Sequence, residues 1–480
     1  MFNNLPWGNN LFKRIKFLKL LFFTGILFSV FIGITISRLI LVESLFTQKY
    51  FNDFLGYFLI WNILLYILDF FDIKNLRNND YYLKRIFLAT SFSFLISLLI
   101  RYIEHGQLIN WRINLFKTIF VYSVLGILSL LLTFLVNTIK SKNVLIIGGQ
   151  FSGRSMAREI LLNKDLKLNL LGFLSNLSSE DMILYDGDEV KENNNKIKGK
   201  IDRLGKEEDL LRITNKYDID YVIICKDRNL NSELIENIEN LKENGVRVYF
   251  MDEIYEALSN KLPVFHLSET YYYYLFREIK KKENNKNIYH YISRILNFIF
   301  ALLFLILSFP ILLISAIVIK LESKGPILYK QERVGKNNKL FIVYKLRSMI
   351  VHDGSKYPKY SSKNDNRITN FGKIIRRLRI DEFPQFINVL KGDMNIVGPR
   401  AEWSKLEKKY KKKIPFYNKR HIIRPGITGW AQVNYDYGAN IEDTIYKLQY
   451  DLYYIKNRNF FLDVKILLKT IKIILCGKGV

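Results

Sequence analysis

The sequence predicts a membrane protein with three parts: an N-terminal four-helix transmembrane bundle, a Rossmann-like α/β middle domain, and an α-rich C-terminal domain anchored by a re-entrant membrane helix. Three observations lead to this prediction. The 480 residues combine 49% hydrophobic residues with a formal net charge of +27, which indicates apolar segments in a bilayer and basic parts facing anionic lipid or phosphorylated ligands. Apolar blocks recur in the first 142 residues, one of them interrupted by Asp69. A strand followed by a glycine turn begins at residue 143.

Composition also argues against several classes of protein. Nucleic acid is the competing partner for so basic a chain, but nucleic-acid binding would not explain the apolar blocks. The two cysteines, Cys225 and Cys476, are far apart in the chain, which favours a reduced, cytosol-facing protein without a disulfide framework. The chain has five histidines and no HExxH sequence, so a zinc hydrolase is not expected.

Residues 1–142 are predicted to form four transmembrane helices. A basic stretch precedes the first apolar block, but a signal peptide is disfavoured because no small-residue cleavage site follows and further apolar blocks come after it. Basic residues before the first block, and between the second and third, place both ends of the bundle in the cytoplasm, whereas the loop at 101–117 mildly disagrees. The four predicted spans are 20–37, 54–71, 86–100 and 118–139.

Residues 143–262 are predicted to form the α/β domain. The opening stretch, NVLIIGGQFSGRSMAREILL, suggests a buried strand, a glycine turn and a helix. The dinucleotide-binding fingerprint is incomplete, because Gln150 stands where the pattern requires its middle glycine and no acid follows the second predicted strand at 168–174. We therefore favour a domain used for assembly or regulation over a nucleotide-binding domain, and expect no tight binding of NAD or NADP.

Residues 263–290 are predicted to be a linker. An aromatic run at 271–274 precedes Lys280, Lys281 and Lys282, a pattern that suits a segment at the lipid interface. A loop that wraps around the α/β domain is an equally good interpretation.

The C-terminal domain, residues 291–480, opens with an uncharged apolar stretch at 295–319. The stretch is long enough to span a bilayer, and Pro310 removes a helical hydrogen bond inside it. Both flanks are strongly basic, as expected for a re-entrant hairpin whose two ends stay on the same side, whereas a through-going helix would have asymmetric flanks. We therefore predict a re-entrant helix. The segment 463–475 is predicted to be a basic amphipathic helix that could lie on the membrane.

The stretch 376–402 contains the residues best suited to chemistry. Asp381 and Glu382 follow a run of arginines, and this combination suits phosphate chemistry, because carboxylates hold a divalent cation or attack phosphorus while arginines bind phosphoryl oxygens. The alternative is a solvated helix face with ordinary ion pairs. An apolar stripe at helical spacing instead predicts that the two carboxylates lie at the margin of a buried helix face, where their pKa values can be tuned. The stripe consists of Ile380, Phe383, Phe386, Ile387 and Leu390.

Several motifs, taken in order, resemble those of a known family. Residues 294–480 resemble the catalytic domain of bacterial sugar transferases, the polyprenyl-phosphate hexose-1-phosphate transferases of the monotopic phosphoglycosyl transferase superfamily. The first two regions of the chain are similar to those of the long members, which initiate capsule, exopolysaccharide or O-antigen repeat units. The motifs are GPILYKQERVG (325–335), YKLRSM (344–349), RITNFGKIIRR (367–377), IDEFPQFINVLKGDMNIVGPR (380–400) and RPGITGWAQV (424–433).

The resemblance implies a two-step reaction. Asp381 would attack the β-phosphate of a UDP-sugar and release UMP, and undecaprenyl phosphate would then attack the resulting phosphosugar-enzyme. Glu382 would help to hold Mg²⁺. The phosphate ligands implied by motif position are Lys345, Arg347, Arg376 and Arg400.

The resemblance also implies location and partners. The protein would be a multi-pass protein of the bacterial inner (cytoplasmic) membrane with its catalytic domain facing the cytoplasm. Its partners would be a UDP-sugar, undecaprenyl phosphate and the lipid bilayer, with no nucleic acid and with a homodimer as a further candidate. The family often has a Ser-Pro break in the membrane hairpin, whereas Ser308 and Pro310 are separated here by Phe309, and it often has an Asp where Asn297 stands. Both differences concern the hairpin rather than the chemistry.

Two other classes of function compete with a transferase. A membrane protein whose α/β domain regulates transport would need a filter-type sequence, which is missing. An NAD-dependent nucleotide-sugar epimerase or dehydratase would need an intact glycine fingerprint and a nearby Tyr-x-x-x-Lys pair. No motif distinguishes galactose, glucose or an N-acetylated sugar as the group transferred.

Overall fold

The computed structural model describes most of the chain after residue 140 and two segments before it. The described ranges are 79–105, 118–127, 140–148, 151–163, 167–176, 182–184, 199–226, 230–264, 269–284, 288–350, 367–435 and 440–475, with a few single positions in the N-terminal region. Apart from two such positions, the spans predicted at 20–37 and 54–71 lie outside the described residues.

Two N-terminal helices coincide with the third and fourth predicted spans. Helix α1 is Asn79–His105, and helix α2 is Thr118–Ile127. They pack together, with the ring of Phe87 edge-on to that of Tyr122 at 6.2 Å between centroids. Their inner faces are buried and their outer faces expose large apolar side chains.

The α/β domain contains a five-stranded sheet in the order β5-β2-β1-β6-β7, and every neighbouring pair is parallel. The central strand β1 sends Val144 and Ile146 into one apolar core, and Leu145 and Ile147 into another. Strands buried on both faces are typical of doubly covered parallel sheets, so the predicted α/β domain is confirmed. Its strands are β1 (Lys142–Ile147), β2 (Leu168–Leu174), β5 (Arg203–Gly205), β6 (Tyr221–Ile224) and β7 (Arg247–Phe250), with a separate antiparallel pair, β3 (Met182–Leu184) and β4 (Gly199–Ile201).

Four helices cover the two faces of this sheet. Met156 of the first helix and Tyr255 of the last lie in one core, while Leu210 and Leu234 of the middle two lie in the other. The helices are α3 (Phe151–Leu162), α4 (Leu210–Lys216), α5 (Ser232–Glu243) and α6 (Met251–Ser259).

Residues 269–284, within the segment predicted as a linker at 263–290, belong instead to the core of the C-terminal domain. Helix α7 (Glu269–Asn284) buries Tyr272, Phe276 and Ile279 among residues of that domain. The ring of Tyr272 stacks on that of Phe416 at 4.0 Å between centroids. The sequence suggested that the aromatic run lies at a lipid interface. One of its residues, Tyr272, instead packs this helix onto the C-terminal domain.

The C-terminal domain is mainly helical with two small sheets. A hairpin of β8 (Leu328–Val334) and β9 (Leu340–Leu346) is antiparallel, and β10 (Asn395–Val397) pairs in parallel with β11 (Gly426–Thr428). The helices are α8 (Ile288–Glu322), α9 (Asn370–Arg377), α10 (Gln385–Lys391), α11 (Ser404–Lys413), α12 (Trp430–Asn434), α13 (Ile441–Asn457) and α14 (Phe460–Leu475).

Helix α8 contains the predicted membrane segment and continues through Ser308 and Pro310. Within the described ranges, it is the one helix long and apolar enough to cross a membrane by length and composition. One narrow face is buried, and most other positions expose large apolar side chains such as Leu307 and Phe309. The buried positions recur at intervals of four or seven residues, which places them on one side of the helix: Ser293, Asn297, Ala301, Ser308, Ser315 and Ile319.

Candidate active site

Asp381 and Glu382 lie in a single 3₁₀ turn, Ile380–Glu382, between helices α9 and α10. The sequence predicted that the pair sits on a helix, and this prediction is wrong in detail. Arg379 adopts a left-handed backbone conformation with φ of 56°, which ends α9, and Pro384 immediately precedes α10. Adjacent side chains in a 3₁₀ turn point about 120° apart, because the turn has three residues. The two carboxylates therefore face different surroundings.

The apolar stripe after the carboxylates packs against the membrane-type helix. The ring of Phe304 on α8 lies edge-on to Phe383 at 4.8 Å and stacks on Phe386 at 4.1 Å between centroids. Phe386 and Leu390 also contact the core formed by Ala301, Val343 and Val389. The stripe is thus buried, as predicted, and the helix it packs against is α8, which holds the carboxylate turn directly beside it.

Glu382 is buried and paired with two cations. Its Oε1 atom lies 2.9 Å from Nζ of Lys345 and 2.7 Å from Nη2 of Arg400. Burial alone would raise the pKa of Glu382, but Arg400 and Lys345 more than offset that effect and hold its pKa well below the usual value. Glu382 is therefore ionised at neutral pH.

Asp381 has the opposite environment although it is the next residue. Burial raises its pKa to about 6, with Glu382 adding to the rise and with Lys345, Arg376 and Arg400 opposing it. Among the described residues its carboxylate accepts no hydrogen bond, whereas that of Glu382 accepts two. Asp381 is thus largely ionised at pH 7 and open to an incoming group, while Glu382 is engaged.

Three of the four predicted phosphate ligands lie around the carboxylate pair. Lys345 comes from β9, Arg400 follows β10, and Arg376 in the last turn of α9 is close enough to lower the pKa of Asp381. The surplus of positive charge suits a diphosphate, because guanidinium and ammonium groups bind phosphoryl oxygens strongly.

Arg347, the fourth predicted ligand, has a different place. Its side chain is only 6% exposed, and its two Nη atoms donate to the carbonyl oxygens of Lys324 and Ser323 at 3.0 and 2.7 Å. These carbonyls follow the end of α8, where backbone acceptors lack helical partners. The structure therefore gives Arg347 the role of fixing the end of α8 and does not bring it to the carboxylate pair.

Sequence reasoning missed several charged residues that support the site. Arg333 on β8 donates to the carbonyl of Ala401, directly after Arg400, and burial lowers its pKa, with the charge of Arg400 as the next cause. Arg420 and Asp451 form a buried ion pair behind Arg400. Arg333 stands inside a motif quoted from the sequence, whereas Asp451 had only one signal, a charged residue in an otherwise apolar part of α13.

The resemblance implies that Glu382 helps to hold Mg²⁺, and its carboxylate is chemically suited to that role. Within the described ranges, no group of three or more His, Cys, Asp or Glu side chains is arranged to hold a metal ion. Mg²⁺ does not require such a group, since it is usually bound through one or two carboxylates together with substrate phosphates. The ionised Glu382 next to Asp381 supplies that kind of donor set.

A family model described as bacterial sugar transferase matches residues 288–477, which begins at the first residue of α8 and includes the carboxylate pair. An uncharacterized sugar transferase, EpsL, of Bacillus subtilis (strain 168) is 37% identical over 193 residues, covering 39% of this chain and 90% of that protein. The chain belongs to the bacterial sugar transferase family. The resemblance found for residues 294–480 is confirmed.

This sugar transferase is also similar to proteins whose names state a substrate. An Aeromonas hydrophila protein named UDP-N-acetylgalactosamine-undecaprenyl-phosphate N-acetylgalactosaminephosphotransferase is 43% identical over 234 residues, 49% of this chain and 53% of that protein. An Escherichia coli (strain K12) protein named UDP-glucose:undecaprenyl-phosphate glucose-1-phosphate transferase is 40% identical over 184 residues, 38% of this chain and 39% of that protein. The matched stretch thus spans about half of the first relative and about two fifths of the second.

Proposed function

We propose that this sugar transferase moves a hexose-1-phosphate from a UDP-sugar to undecaprenyl phosphate and releases UMP. The observation that carries the proposal is the split between the two carboxylates: Glu382 is held by Lys345 and Arg400, while Asp381 beside it accepts no hydrogen bond from the described residues and has a pKa raised to about 6, chiefly by burial. A basic site with one engaged and one available carboxylate suits nucleophilic displacement at phosphorus. The names of the Aeromonas and Escherichia coli relatives support the same substrate classes.

In the first step, a carboxylate oxygen of Asp381 bonds to the β-phosphorus of the UDP-sugar. The bond from that phosphorus to the oxygen that bridges the α- and β-phosphates breaks, and UMP leaves with that oxygen and its electron pair. In the second step, a phosphate oxygen of undecaprenyl phosphate bonds to the same phosphorus, and the carboxylate of Asp381 leaves. The covalent intermediate divides one difficult displacement into two easier ones.

The cations around the pair would stabilise the charge on the reacting phosphates. Lys345 and Arg400 are held on Glu382 before substrate arrives, so little reorganisation is needed at the moment of reaction. Arg376 extends from α9 on the Asp381 side. Glu382 would also hold Mg²⁺, which would neutralise charge on the diphosphate.

The membrane helix is proposed to be re-entrant, with both ends at the cytoplasmic face. Ala301 shares a core with Val343, and Ile319 shares one with Leu346. Both halves of the helix therefore pack against the C-terminal domain. Pro310 lies between these two contacts, and a proline removes a helical hydrogen bond and kinks a helix, which supports a hairpin.

The whole protein would then be a multi-pass protein of the bacterial cytoplasmic membrane that begins the assembly of a glycan repeat unit. The packed, outwardly apolar helices α1 and α2 support further membrane spans in the N-terminal region. Phe460 and Phe461 at the start of α14 are exposed, which supports contact of this amphipathic helix with lipid. A catalytic domain on the cytoplasmic side would have access to cytosolic UDP-sugars.

The test is UMP release by Asp381→Asn and Glu382→Gln variants in the presence of a panel of UDP-sugars. Asp381→Asn is expected to abolish UMP release even without a lipid acceptor, because the first half-reaction lacks its nucleophile. Glu382→Gln is expected to be severely impaired, with any residual activity responding to the Mg²⁺ or Mn²⁺ concentration. Glu442→Gln, at an exposed position on α13, is the matched control and should behave as wild type.

The covalent step makes two further demands. Wild-type protein incubated with β-phosphate-labelled UDP-sugar and no acceptor should retain label, and two-substrate kinetics should be ping-pong. UMP release by Asp381→Asn near the wild-type rate, or kinetics that need both substrates bound together, would instead favour direct attack by the lipid phosphate.

A further inference from the structure

The backbone that carries Arg400 is held at three consecutive carbonyl oxygens. The carbonyl of Pro399 accepts from the backbone N–H of Gly426 at 2.9 Å. The carbonyl of Arg400 itself accepts from Nη2 of Arg420 at 2.9 Å, and that of Ala401 accepts from Arg333. Because each of these peptides is held by another part of the domain, the point from which the Arg400 side chain extends is fixed before any ligand binds.

Arg420 makes the middle one of these three contacts and also bonds to other elements of the domain. Its side chain is 5% exposed. Besides the carbonyl of Arg400, its Nη2 atom lies 2.7 Å from Oδ2 of Asp451 on α13, and its Nη1 atom donates to the hydroxyl of Tyr417 at 2.7 Å. A planar guanidinium can hold oxygens in several directions at once, whereas an ammonium is a single point charge.

Burying the carboxylate of Asp451 at its position costs free energy. The residue is 1% exposed, between Tyr450 and Leu452, which are also buried in the apolar core of the C-terminal domain. Burying an ion pair costs much of the energy that the pair returns, and well-packed apolar residues are often as stable. Stability alone therefore gives little reason for a charged pair at this position.

We propose that Arg420 and Asp451 are positioning residues that hold the backbone of Arg400, so that its guanidinium stays within reach of Glu382 and of the diphosphate. Neither residue touches the substrate. Asp451 orients Arg420, Arg420 fixes the carbonyl of Arg400, and Arg400 contacts Glu382 at 2.7 Å. The inference rests on the proposed function, since it assigns Arg400 to the diphosphate, and it adds two residues that none of the sequence motifs contains.

The test measures kcat/KM for UMP release and the affinity for UDP in the full-length protein, for Arg420→Lys and Asp451→Asn. Arg420→Lys keeps a cation but loses the multiple hydrogen bonds, and Asp451→Asn keeps the volume and one acceptor. Both are expected to lower kcat/KM by about 10- to 100-fold, the effect of misplacing a contact by about 1 Å, and to weaken UDP binding. The matched control is Lys456→Met, which breaks another largely buried ion pair of α13, with Glu256, and should leave both quantities within about twofold of wild type.

Coupling to Arg400 separates positioning from simple support of the fold. In an Arg400→Gln background, Arg420→Lys should have no further effect on UDP affinity, because the residue it positions is already gone. Additive losses in that background, or wild-type kcat/KM in both single variants, would overturn the inference. If either single variant fails to fold, the kcat/KM and UDP affinity of the other variant provide the test. UMP release by wild type and its loss in Asp381→Asn test the proposed function separately in the same assay.

Discussion

Adjacent residues in this protein have opposite electrostatic environments. Glu382 meets two cations that keep its pKa well below the usual value in spite of burial, whereas burial dominates at Asp381 and raises its pKa to about 6. Proteins give two neighbouring carboxylates different roles through environments that separate their pKa values. Here the 3₁₀ turn directs the two side chains apart and thereby creates the difference.

A pH dependence of stability is expected from Asp451. Burial raises its pKa to about 6, against the effect of Arg420 and with Glu402 and Lys447 also facing it; an unfolded aspartate has a pKa of about 3.9. Between about pH 4 and 6 the folded state therefore holds a proton that the unfolded state has lost, so the free energy of unfolding falls as the pH rises through this window. The contribution is at most about 3 kcal/mol.

The measurement compares the Tm of wild type and Asp451→Asn in the same detergent at pH 4.5 and 7.5. Wild type should gain stability relative to the variant at the lower pH, because only wild type has a carboxylate at position 451 that takes up a proton on folding. A constant difference in Tm across this range would contradict the assignment.

At the scale of elements, α8 is held by the C-terminal domain at both of its ends. Its first half packs on α10 through Phe304 and on β10 through Asn297, whose Oδ1 accepts from the N–H of Ile396 at 2.6 Å. Its far end is fixed by Arg347. Contacts from one domain to both ends of a helix are easier to satisfy by a hairpin than by a straight span.

The proposed hairpin predicts that Lys282 and Lys324, both exposed, face the same compartment. Single cysteines at these positions, in a background with Cys225 and Cys476 replaced by Ala, should both resist an impermeant reagent in intact cells and both react after permeabilisation. Pro310→Leu should restore the helical hydrogen bond and favour a through-going span, whereas Ile306→Leu in the same helix should change nothing. Labelling of only one cysteine in the otherwise unchanged protein would exclude the hairpin.

The carboxyl edge of the parallel sheet supports the expected lack of NAD(P) binding. Where the ribose-binding acid would follow β2, the side chain of Asn176 accepts from the N–H of Glu207 at 2.9 Å and the carbonyl of Ser175 accepts from Arg203 at 2.6 Å. Glu207 is itself paired with Lys226. Calorimetry on the full-length protein should detect no binding of NAD or NADP at micromolar concentrations. A dissociation constant in the micromolar range or tighter would show that the domain binds a dinucleotide after all.

At the scale of the whole molecule, the α/β domain docks on α13 of the C-terminal domain. The hydroxyl of Tyr255 donates to Oε1 of Gln449 at 3.1 Å, and the N–H of Leu262 donates to the carbonyl of the same residue at 3.0 Å. The ammonium of Lys261 lies 5.0 Å from the ring centroid of Tyr450. The helix that holds Asp451 is thus shared by both domains, which links their stabilities.

Breaking the ion pair under this interface should be costly. Nζ of Lys261 lies 2.9 Å from Oε1 of Glu159, and both side chains are less than 5% exposed. Lys261→Ala would leave the carboxylate of Glu159 buried without its partner, so we expect a loss of about 3–5 kcal/mol in the free energy of unfolding. Combining Glu159→Gln with Lys261→Met should recover much of that loss.

Chemical unfolding of the full-length protein measures both changes. Arg212→Ala, which removes the largely exposed partner of Asp209, is the control and should change stability by less than about 1 kcal/mol. A loss from Lys261→Ala no larger than the control would mean that the pair is not buried in solution.

The sequence was sufficient for features that depend on neighbouring residues. Hydrophobic runs and basic flanks marked α8, the strand and glycine turn at 143 marked the α/β domain, and the arginines before Asp381 marked the site. Each of these is a local pattern of composition or periodicity, which is why it could be found without knowing any contact.

Only the tertiary structure decided which charged groups meet. Arg347 caps α8 rather than joining the site because Ser323 and Lys324 approach it in space. Arg420 reaches Asp451 from 31 positions away, and Lys261 reaches Glu159 from 102 positions away. Helix α7, in the segment predicted as a linker, belongs to the core because its Tyr272 packs on Phe416. The contribution of a charged group or an aromatic ring to stability depends on its desolvation and on its partner. Both are properties of the folded chain.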